Sequence, residues 1–423
     1  MSESTEVKKP KRPLPKSRQL VNAQTAQIYK EAFEAKARGE KIGWSTAIFP
    51  QEICETLGVP VLYPENNAAS ISAKHLEEEL IQYSEGPLRY PMNICSYARL
   101  NIGLAHKIQD PNYDKADPLM PLPDFLLLAN NSCTQLMKWY ECLARDLNIP
   151  IFFVDCLYNY DNEPVAAHKI EYIKSQIEDL TVKIAEFTGK KFDQDKFLEV
   201  QKRSQINSQL FDDIVKLNMR KPAPVNGFDF FNYMSCMVLA RGKESTTEIF
   251  EELQKEILEH IANGTTTFPG EEKYRVHWEG IACWPNLGHN LKTLRNYNVN
   301  AVINGYVTAW NVAYKPGDLY DMARAYAWSS TNSFSTENIM HRRADTIENY
   351  DCDGMLCHVN RSCKMMTFHI YVGKGIVEER TGVPIANFDG DQSDNRVYSE
   401  AQFETRVQGL VEIMQQNKEA KNG

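Results

Sequence analysis

The sequence predicts an α/β protein: two parallel-sheet domains with additional helical segments. Three observations carry that expectation. Continuous apolar runs at 125–128 and 149–154 alternate with helical periodicity, the pattern of strands buried on both faces by crossover helices. The stretch 165–262 reads as helix, broken by a Pro-rich cluster. From Tyr274 the strand–helix rhythm returns.

In order, residues 19–40 form an amphipathic helix, and 43–50 a strand and turn. Helix 51–57 stops at Gly58, strand 59–63 follows, and Pro64-Glu65-Asn66-Asn67 has the composition of a loop. Asn130 and Asn131 end the strand at 125–128, helix 134–147 leads to the strand at 149–154, and 165–220 is helical, with a stop at Gly189. The breaker run 222–227 marks a domain junction, and helix 230–262 ends before Gly264. Strands are expected at 276–283, 300–305, 354–358 and 384–389, with helices at 287–297, 317–328, 336–347, 364–379 and 400–417. The division is a basic tail (1–18), a first α/β domain (19–164), a helical segment (165–270) and a second α/β domain (271–423). The two α/β halves are expected to be similar and Rossmann-like, each giving cysteines to a shared cleft.

A chain of 423 residues is long enough for two or three domains with cores of their own. Net charge is −9, so there is no basic footprint for nucleic acid. The one basic run, 8–13, holds two prolines and reads as a disordered, solvated tail. The N-terminus carries no apolar signal region, and no stretch reaches the ~18 apolar residues of a membrane span. The chain is therefore expected to be cytoplasmic, and its ten cysteines to be buried, metal-bound or reactive thiols in a reducing compartment.

Three of those cysteines, Cys95, Cys133 and Cys363, fall at strand-to-helix turns, where an α/β protein presents ligands. A helix N-terminus favours the thiolate, the metal-binding form. Three thiolates suit an iron–sulfur cluster with one iron left open. No Cys-x-x-Cys occurs, so spacing alone is weak support. Arg361 and Lys364 flank Cys363 and would hold a thiolate or an anionic substrate. Cys54, Cys142, Cys156 and Cys236 read as packing. Cys283 and Cys352 stay open, and Cys357 mimics a metal motif with Cys363 but lies mid-strand, which favours packing. His289 and His358 are expected in loops near the sheet edge, within reach of a ligand, whereas His260, His277, His341 and His369 lack partners at metal spacing. The acidic turn 389–394 lacks the spacing of a calcium loop and reads as the loop after the last strand. No phosphate-binding Gly-x-x-x-x-Gly-Lys-Ser/Thr is present, so any ATP used would be hydrolysed by another protein.

Several motifs together resemble one family: Gly43-Trp44-Ser45, Tyr63-Pro64-Glu65-Asn66, Ile94-Cys95-Ser96-Tyr97-Ala98-Arg99, Asn130-Asn131-Ser132-Cys133, Lys138-Trp139-Tyr140-Glu141, Asn226-Gly227-Phe228-Asp229, His358-Val359-Asn360-Arg361-Ser362-Cys363-Lys364 and Phe388-Asp389-Gly390-Asp391-Gln392. Over roughly 20–418 the chain resembles the (R)-2-hydroxyacyl-CoA dehydratases of anaerobic amino-acid fermentation, most closely the larger α subunit of the 2-hydroxyisocaproyl, phenyllactyl and lactoyl type.

The resemblance implies a heterodimer with a related smaller β subunit. It also implies one [4Fe–4S] cluster per subunit, in the cleft between the domains, with an open iron. Here its ligands would be Cys95, Cys133 and Cys363. A separate ATP-dependent iron–sulfur activator would inject one electron, with no ATP bound by this chain. The reaction implied is loss of water from a 2-hydroxyacyl-CoA to give a 2-enoyl-CoA. One-electron reduction of the thioester gives a ketyl radical anion, which expels hydroxide from C2 and acidifies C3. Glu65 matches a family glutamate that would bind the leaving hydroxyl or relay a proton. Ser45 would hydrogen-bond the substrate oxygen; the family serine stands two positions later, where this chain has Ala47. His358, Arg361 and Lys364 are candidate substrate contacts. Two other readings share these motifs: a subunit of a benzoyl-CoA reductase-type system, and a non-catalytic electron-relay subunit.

Overall fold

Two four-stranded parallel sheets with the same strand pattern organise the computed structural model, which describes residues 13–113, 120–159, 164–329 and 333–422. The first half runs α1 (Lys16–Ala37), β1 (Gly43–Ser45), α2 (Gln51–Leu57), β2 (Val61–Leu62), α3 (Pro64–Ala73), α4 (Glu78–Glu85), α5 (Ser96–Ile108), β3 (Phe125–Ala129), α6 (Gln135–Leu147) and β4 (Ile151–Val154). The helical segment is α7 (Ala167–Thr188), α8 (Gln194–Lys216), α9 (Phe230–Ala240) and α10 (Glu244–Ala262). The second half runs β5 (Tyr274–Glu279), α11 (Leu287–Asn296), β6 (Val299–Asn304), the single turn α12 (Gly305–Thr308), α13 (Leu319–Ala327), α14 (Thr336–Asn349), β7 (Gly354–Asn360), α15 (Lys364–Thr381), β8 (Ile385–Gly390) and α16 (Glu400–Asn422).

Strand order is β2-β1-β3-β4 in one sheet and β6-β5-β7-β8 in the other, all pairs parallel. In each sheet the order reverses beside its first strand, at β1/β3 and at β5/β7. Crevices that bind ligands open at such points, outside the carboxyl ends of the strands. The expected pair of like halves is thus present. The apolar strand runs are the reason: Phe125–Ala129 and Gly354–Asn360 are buried at every position, as strands covered on both faces must be. One core of buried side chains continues from Trp44 in the first half through Phe230 and Met237 of α9 to Trp278 in the second.

Local signals account for most boundaries. α2 and α7 end at Gly58 and Gly189, both left-handed, as a helix C-terminus favours. Gly227 is required because a Cβ there would lie 1.9 Å from the Ala301 carbonyl oxygen of β6. Four expectations are corrected. Residues 64–67 are the first turn of α3, not a loop: proline at N1 and an acid in the first turn favour a helix start more than the Asn-rich composition favours a turn. Helix 230–262 is two helices, parted at 241–243, where Asn207 Nδ2 takes up the freed carbonyls of Arg241 and Lys243 at 2.7 and 3.1 Å. Residues 16–18 of the expected tail are helical, and residues 1–12 lie outside the described residues. β7 runs to Asn360, so His358 is a strand residue. Among the described residues no helix is long and apolar enough to cross a membrane.

Below the first sheet, α2, α8, α9 and α13 meet on a buried charge network. Glu52 and Arg241 are fully buried and paired at 3.1 Å. The carboxylate also accepts from Ser204 Oγ (2.7 Å), Tyr314 OH (2.9 Å) and Tyr326 OH (2.6 Å).

Candidate active site

The three cysteines singled out from the sequence line one interior cavity of about 80 Å³, together with Glu65. Two of them arrive by a short path from the carboxyl end of a strand. β3 and β7 hold the same position in their sheets, and each ends four or three residues before a cysteine that opens a helix: Cys133 before α6, and Cys363 at the N-cap of α15. Cys95 comes from the segment between β2 and β3 and is the N-cap of α5. Glu65 follows β2, and Tyr306 follows β6, the corresponding strand of the other half. The cavity therefore lies at the carboxyl ends of both sheets.

Hydrogen bonds tie these loops to one another. Cys95 N–H donates to Gln135 Oε1 at 3.1 Å, and Gln135 N–H donates to Cys133 Sγ at 3.3 Å. Ser96 N–H donates to Ser362 Oγ at 3.0 Å, linking the Cys95 turn to the Cys363 turn. The N–H and hydroxyl of Ser362 both donate to Asp391 Oδ2, at 3.0 and 2.5 Å. The 389–394 loop is thus a brace for the Cys363 turn, and next to Asp391 Gln392 Nε2 lies 3.6 Å from Cys95 Sγ. Trp139, Trp310, Tyr306, Ile281 and Met366 wall the cavity. Two buried polar atoms of its lining, Ser132 Oγ and Gln392 Oε1, have no hydrogen-bond partner among the described residues.

Burial decides the protonation of this site. It pushes Cys95 up to about 12 and raises Cys133 and, further, Cys363. The backbone N–H groups at the helix N-termini lower each thiol, and in the metal-free chain desolvation outweighs them. Burial likewise raises Glu65 to about 7, opposed by the Ala47 N–H that donates to its Oε2 at 2.8 Å. Ala47 thus touches Glu65 through its backbone.

The other expected contacts lie elsewhere. Ser45 is buried outside the cavity lining, and its hydroxyl donates to the Thr46 carbonyl at 3.0 Å. Arg361 and Lys364 are exposed and do not line the cavity; Lys364 Nζ donates to the Arg361 carbonyl at 2.8 Å. His358 is buried rather than in a loop. Its ring stacks on Phe388 at 4.9 Å and its Nδ1–H donates to the Ile281 carbonyl at 2.6 Å, while burial lowers it to about 4 and leaves it neutral. It orients the chain at Ile281 instead of lining the cavity. Gly390 permits this, since a Cβ there would meet His358 Nε2 at 2.5 Å. His289 is in α11, bonded to Tyr398 OH at 2.7 Å. Cys357 is fully buried in β7, as packing requires. Sequence reasoning missed Tyr306 and Trp310; the available signal was Asn304-Gly305-Tyr306 at the carboxyl end of a strand.

Among the described residues no group of three or more His, Cys, Asp or Glu side chains is gathered so as to hold a metal ion. Three thiolates on one tetrahedral zinc would stand about 3.8 Å apart, from a Zn–S bond of about 2.3 Å. A polynuclear cluster takes each thiolate on a different iron and so needs a wider set. Three cysteines around one mostly apolar, aromatic-walled cavity, with orphaned polar atoms in its lining, fit such a group.

The family model for 2-hydroxyglutaryl-CoA dehydratase, D-component, matches residues 46–414. The chain is 42% identical over 408 residues to the (R)-2-hydroxyisocaproyl-CoA dehydratase alpha subunit of Clostridioides difficile, covering 96% of this chain and 98% of that one. It is 41% identical to the (R)-phenyllactyl-CoA dehydratase alpha subunit of Clostridium sporogenes, over 92% and 93% of the two chains. It is 35% identical to the lactoyl-CoA dehydratase subunit alpha of Anaerotignum propionicum, over 95% and 97%. The chain belongs to the 2-hydroxyglutaryl-CoA dehydratase D-component family and, like these relatives, is a hydro-lyase subunit.

Proposed function

We propose that the chain is the α subunit of a heterodimeric dehydratase that removes water from an (R)-2-hydroxyacyl-CoA to give the 2-enoyl-CoA. In this reading Cys95, Cys133 and Cys363 carry a [4Fe–4S] cluster with one iron open. A related smaller β subunit completes the enzyme, and an ATP-dependent iron–sulfur activator supplies the electron. The observation that carries the reading is the meeting of three cysteines and one raised carboxyl at the carboxyl ends of both sheets. When bound, the cluster supplies a low-potential electron and a Lewis-acidic iron.

The chain's own residues have separate tasks. Overall, hydroxide leaves C2 and a proton leaves C3, so one water is lost with no net oxidation. With its carboxyl near 7, Glu65 is divided between acid and base at neutral pH, which suits giving a proton to the departing hydroxide or taking the one from C3. Burial keeps the Tyr97 and Tyr306 phenols protonated. Tyr97 accepts the indole N–H of Trp284, so its own O–H is left for an acceptor in the cavity, such as a thioester oxygen on which negative charge gathers. Trp139, Trp310 and Met366 exclude water, which keeps these interactions strong.

The test is iron and acid-labile sulfide content, with EPR, on the chain purified without oxygen together with its partner subunit. About four irons per subunit are expected. Cys95→Ala, Cys133→Ala and Cys363→Ala should each remove this chain's share, and Cys357→Ala should not. Iron lost only with Cys357→Ala, or no iron at all, sinks the ligand assignment. Formation of enoyl-CoA, against ring reduction of benzoyl-CoA in the same preparation, decides the reaction.

A further inference from the structure

A groove of about 540 Å³ lies between α1 and α3, with Phe231 and Trp284 among its lining side chains. It adjoins the cysteine cavity across a wall of paired side chains. Trp284 lines the groove, and its indole bonds Tyr97, which lines the cavity. Phe231 lines the groove, and its ring lies 6.4 Å from that of Tyr306, which lines the cavity. Glu65 faces the cavity while Asn66 and Asn67, next in sequence, line the groove.

The lining is chemically selective. On a chain of net charge −9 it contains Arg18 and Lys74 and neither Asp nor Glu. Among the described residues Arg18 makes no ion pair or hydrogen bond; Asp229 acts on it only at longer range. Asn67 is 5% exposed, and its Oδ1 has no partner, while its Nδ2 donates to Tyr29 OH at 3.1 Å. A half-buried guanidinium with no carboxylate bonded to it suits a phosphate, and an unpaired buried amide oxygen suits an amide N–H.

The spacing matches one ligand. From Glu65 to Lys74 α3 rises about 14 Å. The pantetheine arm of coenzyme A has the reach of about four residues of extended chain, again about 14 Å. We propose that this groove holds the coenzyme A part of the substrate, with its phosphates on Arg18 and Lys74 and its pantetheine amides along Asn66 and Asn67. The thioester then lies at the Trp284–Tyr97 wall, beside the Tyr97 hydroxyl. This assignment rests on the acyl-CoA reading above.

The test is oxygen-free calorimetric titration of the chain with its partner subunit, using free coenzyme A and pantetheine. The wild type should bind coenzyme A at least about tenfold more tightly than pantetheine, and Arg18→Gln should remove most of that advantage. Ser70→Trp, an exposed α3 position that lines the groove, should weaken coenzyme A about tenfold by filling it, and keeps the test valid if Arg18→Gln does not fold. In steady-state dehydration the same losses should fall on KM rather than kcat. Coenzyme A affinity unchanged in the folded variants overturns the groove, even while dehydration persists. Affinity that depends on both side chains, in a preparation that dehydrates no 2-hydroxyacyl-CoA, upholds the groove and sinks the reaction assigned above.

Discussion

Replacing Arg241 by methionine removes the cation from a fully buried pair. Glu52 would keep Ser204, Tyr314 and Tyr326 as neutral donors, at 2.7, 2.9 and 2.6 Å. Breaking a buried pair from one side costs about 3–5 kcal/mol, because the surviving charge is stranded. Three remaining hydroxyls place this case near the lower end, about 3 kcal/mol. Arg241→Met with Glu52→Gln removes the stranded charge and keeps an acceptor oxygen, so the double variant should regain about half of the loss. Burial alone would raise the Glu52 carboxyl, but Arg241 and the hydroxyls hold it below its ordinary value. Its contribution is therefore present above the ordinary carboxyl value of 4.5 and lost only as pH falls through the lower folded value. In the single variant burial raises that carboxyl with no cation opposing it, so the deficit should be larger at pH 8 than at pH 6. Urea midpoints by tryptophan fluorescence and far-UV CD give the numbers, provided the two transitions coincide. A deficit under about 1 kcal/mol, or a double variant no better than the single, would refute the reasoning. The damage should also reach the active site, since Arg241 Nη1 lies 3.5 Å from the Trp310 carbonyl oxygen and Trp310 walls the cavity.

Glu65→Gln should lower kcat about 10²–10⁴-fold if the carboxyl moves a proton. In the metal-free chain its pKa of about 7, raised from 4.5 by burial, makes folding weaker as pH rises through 7, by up to about 3 kcal/mol. The glutamine variant should lose that slope, and urea midpoints at pH 5 and pH 8.5 would show a persisting slope if Glu65 is not its source. Gly227→Ala forces a Cβ to 1.9 Å from backbone oxygen, so it should cost about 1–3 kcal/mol or more; unchanged thermal unfolding would mean that the close approach to β6 relaxes freely.

The strands were legible because their period and continuity are local properties. Phe125–Ala129 is buried at every position, and an uninterrupted apolar run is what such a strand requires. Cys95, Cys133 and Cys363 were legible for a related reason, since each stands at a turn into a helix. Their electrostatics were not, because a helix terminus is visible in sequence and the degree of burial is not. The same gap misplaced His358: its neighbours suggested a loop, whereas Phe388 and Gly390, thirty and more residues away, make its place inside the sheet. Arg361 and Lys364 adjoin Cys363 in the chain, yet they point outward because a helix N-terminus turns successive side chains to different faces. Tyr306 and Trp310 needed the strand order, which no local pattern carries.

That strand order also explains why the site is lopsided. Two halves of one topology place like positions face to face: the turns after β3 and β7 each give a cysteine, and those after β2 and β6 give Glu65 and Tyr306. Matching turns alone would supply two thiols, an acid and a phenol. The third thiol, Cys95, comes from the α4–α5 segment between β2 and β3, and Ser362 and Gln392 of the second half fasten it. The second half fills the corresponding span with α12, α13 and α14, of which Tyr326 of α13 and Met340 of α14 are buried away from the cavity lining, and its Cys352 does not line the cavity. Glu65 and the two phenols line the same cavity as the three thiols. An inorganic group held by three ligands would there meet a substrate with both a proton donor and hydroxyl donors in reach, and the asymmetry of the insertion makes that possible.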